Sequence, residues 1–188
     1  DVLQIVKEAH ARGLSAHLDG ARIWNASLAL GVAPAELAAP FETASVCFSK
    51  GLGAPVGSAF VGSRDHVKAA HRFRKMLGGG MRQAGVLAAA ALHALEHHLP
   101  RLTDDHVAAR AFAEALRGAP GIDVPDVIDT NIVQFAVTRV SAAELASRAA
   151  GRGVLLNATS PRTLRAVTHL DISAAEVVSA AKLLVELA

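Results

Sequence analysis

Residues 45–57 read Ser45-Val-Cys-Phe-Ser-Lys-Gly-Leu-Gly-Ala-Pro-Val-Gly57, an apolar run that ends abruptly in Lys50 and continues into a glycine-rich segment. The run predicts a strand from Thr43 to Ser49, and the small residues after it leave room for a flat ring beside the lysine. A lysine amine attacks a carbonyl group only after losing its proton, and removal from water favours that loss. The alternative is a solvated lysine at a strand end, which is the usual environment of lysine.

A second strand end lies upstream, in the segment Ala16-His-Leu-Asp-Gly-Ala-Arg-Ile-Trp-Asn-Ala26. Residues 14–18 predict a short buried strand that runs into Asp19 and a glycine-marked turn. Ligands of α/β proteins bind at such strand ends. A carboxylate there can keep the ring nitrogen of pyridoxal phosphate protonated, and a lysine at the next strand end can hold the same cofactor. Asp19 and Lys50 therefore predict a pyridoxal-phosphate site, although aspartate before glycine is also common in ordinary turns.

The composition limits the classes of protein to consider. The chain has 188 residues, of which 52% are hydrophobic and 19% charged, and its net charge is +2. This length allows one or two domains, and the interspersed charges predict neither a nucleic-acid nor a membrane partner. The single cysteine, Cys47, excludes an internal disulfide and favours a reducing, cytoplasmic location. The most apolar predicted helix, residues 85–99, contains His93 and Glu96 and therefore does not predict a membrane span.

Strand and helix patterns alternate along the chain, which predicts an α/β fold. The predicted strands are 14–18, 43–49, 57–62, 132–137, 153–157 and 164–168. The predicted helices are 1–13, 22–30, 34–38, 64–77, 81–99, 103–117, 142–150 and 173–187. A boundary just after Pro100 predicts two domains, residues 1–102 and 103–188. The chain opens directly in a helix without a methionine, so we expect it to be the C-terminal part of a longer protein.

Four segments, in this order and spacing, resemble low-specificity L-threonine aldolases. They are His17-Leu-Asp-Gly-Ala-Arg-Ile-Trp-Asn25, the 45–57 segment, Gly78-Gly-Gly-Met-Arg-Gln-Ala-Gly85 and Arg165-Ala-Val-Thr-His-Leu-Asp171. These aldolases are pyridoxal-phosphate enzymes of fold type I, the aspartate-aminotransferase-like fold. The resemblance implies that residues 1–102 are the C-terminal part of the large cofactor-binding domain and that residues 103–188 form the small C-terminal α/β domain.

The resemblance also implies a role for each candidate site residue. Lys50 would carry the cofactor as a Schiff base, and Asp19 would pair with its ring nitrogen. Arg22 would contact the ring edge or the substrate carboxylate, and Arg165 would bind the same carboxylate. Arg82 would reach the cofactor phosphate, within one subunit or across an interface. For each arginine the alternative is an ion pair on the surface or between domains.

Two histidines lie close to these residues in the sequence. On a strand, His169 would share a face with Arg165 and could line the site, although a hydrogen-bonded structural role is the simpler interpretation. His17 would share a face with Asp19 and is a candidate to support it. The family's phosphate-binding loop and ring-stacking side chain precede the Asp19 motif by many residues, so this chain is expected to lack them, along with the general base.

The implied activity is the cleavage of L-threonine or L-allo-threonine to glycine and acetaldehyde by a cytoplasmic homodimer or homotetramer. Two alternatives remain open. Another pyridoxal-phosphate lyase or an aminotransferase-like enzyme would share Asp19 and Lys50. A fragment without the upstream half of the site could instead be a non-catalytic interaction unit.

One further motif predicts a different chemistry. His93-Ala-Leu-Glu-His97 fits the inverted zinc-protease pattern, in which two histidines share one face of a helix. A third ligand would have to come from another element, and the sequence offers no clear candidate. We therefore expect a solvated helix face and no bound metal.

Overall fold

The computed structural model describes residues 2–188, which separate into two compact units, one ending at Pro100 and the other beginning at Arg101. The elements of the first unit are α1 (Val2–Ala11), β1 (His17–Gly20), α2 (Ile23–Leu30), α3 (Pro34–Ala38), β2 (Thr43–Cys47), β3 (Ser58–Gly62), α4 (Arg64–Met76) and α5 (Gly85–His97). Those of the second unit are α6 (Leu102–Leu116), β4 (Ile122–Asp123), β5 (Ile132–Val137), α7 (Ala142–Ala150), β6 (Asn157–Ala158), β7 (Thr163–Val167) and α8 (Ala174–Leu187).

The sheet of the first unit has the order β1-β2-β3. Strands β1 and β2 are parallel and are joined by a crossover through α2 and α3, whereas β2 and β3 are antiparallel. Along β2, Ala44 and Val46 are buried and alternate with half-buried residues, because successive side chains point to opposite faces of a sheet. Apolar side chains from helix and turn are also buried in this unit, including Val6, Ile23 and Leu52.

The sheet of the second unit has the order β4-β5-β7-β6 and is antiparallel throughout. Its buried cluster includes Phe112 of α6 and Phe135 of β5, whose rings meet edge to face with centroids 6.0 Å apart. Helix α8 closes this cluster with Val177, Ala181 and Leu184.

Most predicted elements are present, with three instructive differences. The predicted strand at residues 153–157 is wrong for most of its length, because the amide of Val154 donates to the carbonyl of Ala149 and closes helix α7. Only Asn157 of that segment is in a strand, the two-residue β6. The first strand lies later than predicted, at His17–Gly20, and the long helix begins at Gly85 rather than near Met81.

The predicted α/β class is confirmed. The roles of residues 1–102 as part of a large cofactor domain and of 103–188 as a small domain remain predictions. Among residues 2–188, every helix is too short or too polar to cross a membrane.

Candidate functional site

Asp19 and the segment bearing Lys50 lie at the same edge of the first sheet. Strands β1 and β2 run parallel, with Asp19 opposite Ser45, so both strands have their carboxyl ends at this edge. Lys50 follows Cys47, the last residue of β2, by three positions. The strand-end arrangement expected from the sequence is therefore present.

A tight turn carries Lys50. The amide of Gly53 donates to the carbonyl of Lys50 at 2.8 Å, and the amide of Ala54 donates to Phe48 at 3.0 Å. Gly53 has a φ of +72°, a conformation that side chains other than glycine rarely adopt. Leu52 is only 1% exposed and anchors the turn in the core. Lys50 itself is exposed, so the burial expected for its amine is not found in this chain.

Asp19 shapes the start of the next helix. Its Oδ1 accepts a hydrogen bond from the amide of Ala21 at 3.1 Å, which fixes the turn from β1 into α2. Gly20 is buried beside it, and a Cβ at that position would lie 2.7 Å from the carbonyl oxygen of Ser45. The absence of a side chain at Gly20 therefore allows β1 and β2 to approach closely behind Asp19.

Trp24 connects the segment that follows Asp19 with the segment that precedes Lys50. Its Nε1–H donates to the carbonyl of Cys47 at 2.9 Å, and its ring stacks on Phe48 at a centroid distance of 6.3 Å. Arg22 is half-buried and lies at the N-cap of α2, two residues before Trp24. Trp24 thus links the start of α2, which follows Asp19, to the end of β2, which precedes Lys50. The sequence motif contains Trp24, but its spacing alone did not indicate this contact.

His17 supports the strands. Its Nδ1 is 2.8 Å from the hydroxyl of Thr43 on β2, and its ring stacks on Phe60 of β3 with centroids 6.2 Å apart. These contacts link β1 to both of the following strands on the face that also carries Asp19.

Arg82 lies between α4 and α5 and is exposed. Its guanidinium makes no hydrogen bond or ion pair to residues 2–188, and its contact with a phosphate remains a prediction.

Arg165 belongs to β7 in the second unit, paired with Gln134 of β5 and Asn157 of β6. It is half-buried, and its Nε is buried without a hydrogen-bond partner among the described residues. Buried polar atoms are normally hydrogen-bonded, so this arginine retains capacity for an anionic partner. Its proximity to a substrate remains a prediction.

His169 does not share a strand face with Arg165 as predicted, because β7 ends at Val167. It is exposed, and its Nδ1 accepts a hydrogen bond from the amide of Asp171 at 3.3 Å. The simpler interpretation, a locally hydrogen-bonded histidine, fits these contacts.

The two histidines of the zinc-like motif lie together on α5. The rings of His93 and His97 have centroids 4.3 Å apart. Across residues 2–188, however, no three histidine, cysteine, aspartate or glutamate side chains are grouped as a metal centre requires.

A family model described as beta-eliminating lyase matches residues 1–138. The chain belongs to this family. Among its relatives, the low specificity L-threonine aldolase of Escherichia coli K12 is 49% identical over 162 residues, covering 86% of this chain and 47% of the relative. Low-specificity L-threonine aldolase 1 of Arabidopsis thaliana is 43% identical over 173 residues, covering 90% of this chain and 48% of the relative. The resemblance found in the sequence is confirmed, and the chain spans about half the length of the relatives it matches.

Solved structures show the same fold. A threonine aldolase from Leishmania major has a TM-score of 0.75 at 18% identity and covers 97% of this chain and 54% of its own. The aminotransferase LysN from Thermus thermophilus, complexed with N-(5'-phosphopyridoxyl)-L-leucine, has a TM-score of 0.73 at 18% identity. The match covers 98% of this chain and 52% of LysN. The beta-eliminating lyase chain therefore has the aminotransferase-like fold predicted from its sequence.

These comparisons support pyridoxal phosphate as the cofactor of the family to which this chain belongs. The residues present in the chain fit this cofactor. Within residues 2–188, the amine of Lys50 makes no hydrogen bond or ion pair, so it is available to an aldehyde. Among the described residues, the hydrogen bond to the Asp19 carboxylate engages Oδ1, which leaves Oδ2 for a ring N–H. A primary amine and a carboxylate at one edge of the sheet are two of the groups that hold this cofactor.

Proposed function

We propose that this chain carries the lysine-bearing half of the active site of a pyridoxal-phosphate-dependent aldolase. The whole protein would cleave L-threonine or L-allo-threonine to glycine and acetaldehyde. The observation that supports the proposal is the parallel pairing of β1 with β2, which has Asp19 and the Lys50 turn at one edge. The identity of 49% to an E. coli L-threonine aldolase supports the choice of reaction.

Bound pyridoxal phosphate supplies a ring that accepts the electron pair released when the Cα–Cβ bond of the substrate breaks. Lys50 would hold the cofactor through its aldehyde carbon, which requires the unprotonated amine. Asp19 would keep the proton on the ring nitrogen, since an adjacent carboxylate favours the cationic form of a base. Both tasks depend on the turn and the strand register that set the backbone positions of the two residues.

The arginines would orient the anionic groups. The buried Nε of Arg165 has no hydrogen-bond partner within residues 2–188, which supports a forked contact with the substrate carboxylate. Arg22, half-buried at the start of α2, would contact the ring edge or that carboxylate. Arg82 would bind the cofactor phosphate.

The wider organisation is proposed with it. Residues 1–102 would complete a large cofactor domain, residues 103–188 would form the small domain, and the whole protein would be a cytoplasmic homodimer or homotetramer. Light scattering after size-exclusion chromatography measures the oligomeric state, and cell fractionation tests the location.

The assignment of Lys50 is tested in the whole protein loaded with pyridoxal phosphate. Borohydride reduction followed by peptide mass spectrometry should find the cofactor on the Lys50 peptide, and Lys50→Ala should abolish both the label and acetaldehyde release. Lys75→Ala is the matched control, because Lys75 is also exposed, on α4. A label on any other lysine would overturn the assignment.

The role of Arg165 has its own test. Arg165→Ala should lower kcat/KM for L-threonine by about tenfold to a hundredfold, the loss expected for a charge-assisted hydrogen bond. Arg152→Ala, at an exposed position of the same unit, should have no effect. Equal kinetics for Arg165→Ala and the wild type would remove Arg165 from the site.

A beta-eliminating reaction is the second candidate, favoured by the description of the matching family model. Asp19 and Lys50 would serve both reactions, so the products must decide. Acetaldehyde and glycine from threonine indicate the aldolase. A 2-oxo acid and ammonia from an amino acid with a β-leaving group indicate elimination, and transfer of the amino group to a 2-oxo acid indicates an aminotransferase. Failure to retain the cofactor would favour the non-catalytic alternative.

A further inference from the structure

His98 makes a contact between two parts of the first unit that are distant in sequence. It lies at the C-cap of α5, where its amide donates to the carbonyl of Ala94 at 2.9 Å. Its imidazole Nδ1 lies 2.7 Å from the carbonyl oxygen of Leu52, which is 46 residues away. A carbonyl oxygen has no proton to give, so Nδ1–H is the donor and the ring carries its proton there.

Leu52 is the core anchor of the turn that carries Lys50. Leu52 is only 1% exposed, so its carbonyl has little access to water. The other hydrogen bonds of the turn are made by the backbone, from Gly53 to Lys50 and from Ala54 to Phe48. The Leu52 carbonyl depends instead on the side chain of His98, at the C-cap of α5. A buried carbonyl that loses its donor is costly, so the turn would rearrange if His98 could not donate.

We propose that His98 is a positioning residue for Lys50, acting through the Leu52 carbonyl to hold the Lys50–Gly53 turn in the geometry that presents the amine. This inference rests on the proposed function, in which Lys50 holds the cofactor. His98 would act through the backbone of the turn and would not itself react.

The neighbouring histidines do not share this contact. The ring of His93 meets that of His98 edge to face with centroids 5.4 Å apart, and His97 is exposed one residue before it. His97 therefore offers a matched control on the same helix end.

Three variants separate the hydrogen bond from the bulk of the ring. His98→Asn keeps an N–H donor on the atom bonded to Cγ, as Nδ1 is in histidine. His98→Phe keeps a ring of similar size but has no donor. His97→Phe makes the same chemical change at the exposed neighbour.

The first measurement needs no cofactor. In hydrogen exchange on the whole protein, the amides of residues 51–54 should exchange about tenfold faster in His98→Phe, the factor expected from one lost hydrogen bond. His98→Asn and His97→Phe should keep the wild-type rates. Unchanged exchange in a folded His98→Phe would overturn the proposal. If that variant does not fold, His98→Leu provides the same comparison.

The second measurement concerns the lysine itself. The rate at which pyridoxal phosphate becomes trapped on Lys50 by borohydride should fall about tenfold in His98→Phe and recover in His98→Asn. A variant that lowers the melting temperature but traps the cofactor at the wild-type rate would show a merely structural residue and overturn the proposal. If wild-type Lys50 is never labelled, the proposed function fails, whereas the exchange experiment still reports on the contact between His98 and Leu52.

Discussion

The indole of Trp24 donates a hydrogen bond to the carbonyl of Cys47 at 2.9 Å. This single contact joins the helix that follows Asp19 to the strand that precedes Lys50. The relative position of the two candidate cofactor groups therefore depends on a side chain that neither binds the cofactor nor reacts in the proposed mechanism.

Trp24→Phe should lower the free energy of unfolding by about 1 kcal/mol, because phenylalanine keeps an aromatic ring beside Phe48 but lacks the donor for Cys47. Urea unfolding of the purified protein measures the change. Phe73→Leu, at an exposed position of α4, is the control and should leave the midpoint unchanged. Equal midpoints for Trp24→Phe and the wild type would show that the contact contributes nothing.

Gly20→Ala should destabilise the protein by about 1–3 kcal/mol, the usual cost of adding atoms to a packed interior. The added Cβ would lie 2.7 Å from the carbonyl oxygen of Ser45 on the neighbouring strand. Gly85→Ala is the matched control, since a Cβ there meets nothing within 4 Å and alanine favours helix. Thermal unfolding should therefore give a lower melting temperature for Gly20→Ala than for Gly85→Ala.

Ser173→Ala should weaken the start of α8. The Ser173 hydroxyl accepts from the amide of Glu176 at 3.3 Å, and the Glu176 carboxylate accepts from the Ser173 amide at 2.8 Å. The Ser173 hydroxyl, which donates to the Glu176 carboxylate at 2.6 Å, and then the Ser173 amide lower the pKa of Glu176 below the ordinary 4.5. The variant should therefore raise the pKa of Glu176 towards that value, as followed by NMR titration.

The effect of Ser173→Ala on stability should depend on pH. A carboxylate whose pKa is lowered by folding stabilises the fold fully above its ordinary value, and this contribution is lost as pH falls through the lowered value. The melting temperature of the wild type should exceed that of Ser173→Ala at pH 7, and the difference should shrink in acid below pH 4.5. Ser179→Ala in the same helix is the control. A melting-temperature difference between the wild type and Ser173→Ala that grows in acid would contradict the prediction.

His106 should make the stability of the second unit sensitive to mild acid. It is 4% exposed, and burial lowers its pKa below 6.5, with Arg110 lowering it further and Asp105 opposing the change. The unfolded chain then binds more protons between the lowered value and 6.5, so stability falls as pH drops through that window. His106→Gln should flatten this slope in unfolding experiments, whereas His71→Gln on exposed α4 should preserve it.

The strand ends at Asp19 and Lys50 were predictable because each is marked locally, by an apolar run that stops at a polar residue before glycine. The Gly153–Asn157 segment carries similar apolar residues, but a helix end takes the Val154 amide instead. Gly153 has a φ of +83°, the left-handed conformation typical of a helix end, and the apolar pattern of the segment does not reveal it.

The contacts that brace the site were not predictable for a different reason. His98 and Leu52 are 46 residues apart, and Trp24 and Cys47 are 23 apart. Each pair joins a side-chain donor to a backbone carbonyl. Because every residue has such a carbonyl, the residue type of the acceptor does not indicate the contact. The exposure of Lys50 was missed because the turn places Leu52, not the lysine, in the core.

The pairing of Asp19 with Ser45 has a practical consequence for engineering. Successive strand residues alternate between faces, so one residue inserted within β1 before Asp19 would send its carboxylate to the opposite side of the sheet. Extra residues in the connection between α2 and α3, at 31–33, would leave this alignment untouched. A change in length within the four residues of β1 therefore moves the candidate cofactor carboxylate, whereas one in that connection does not.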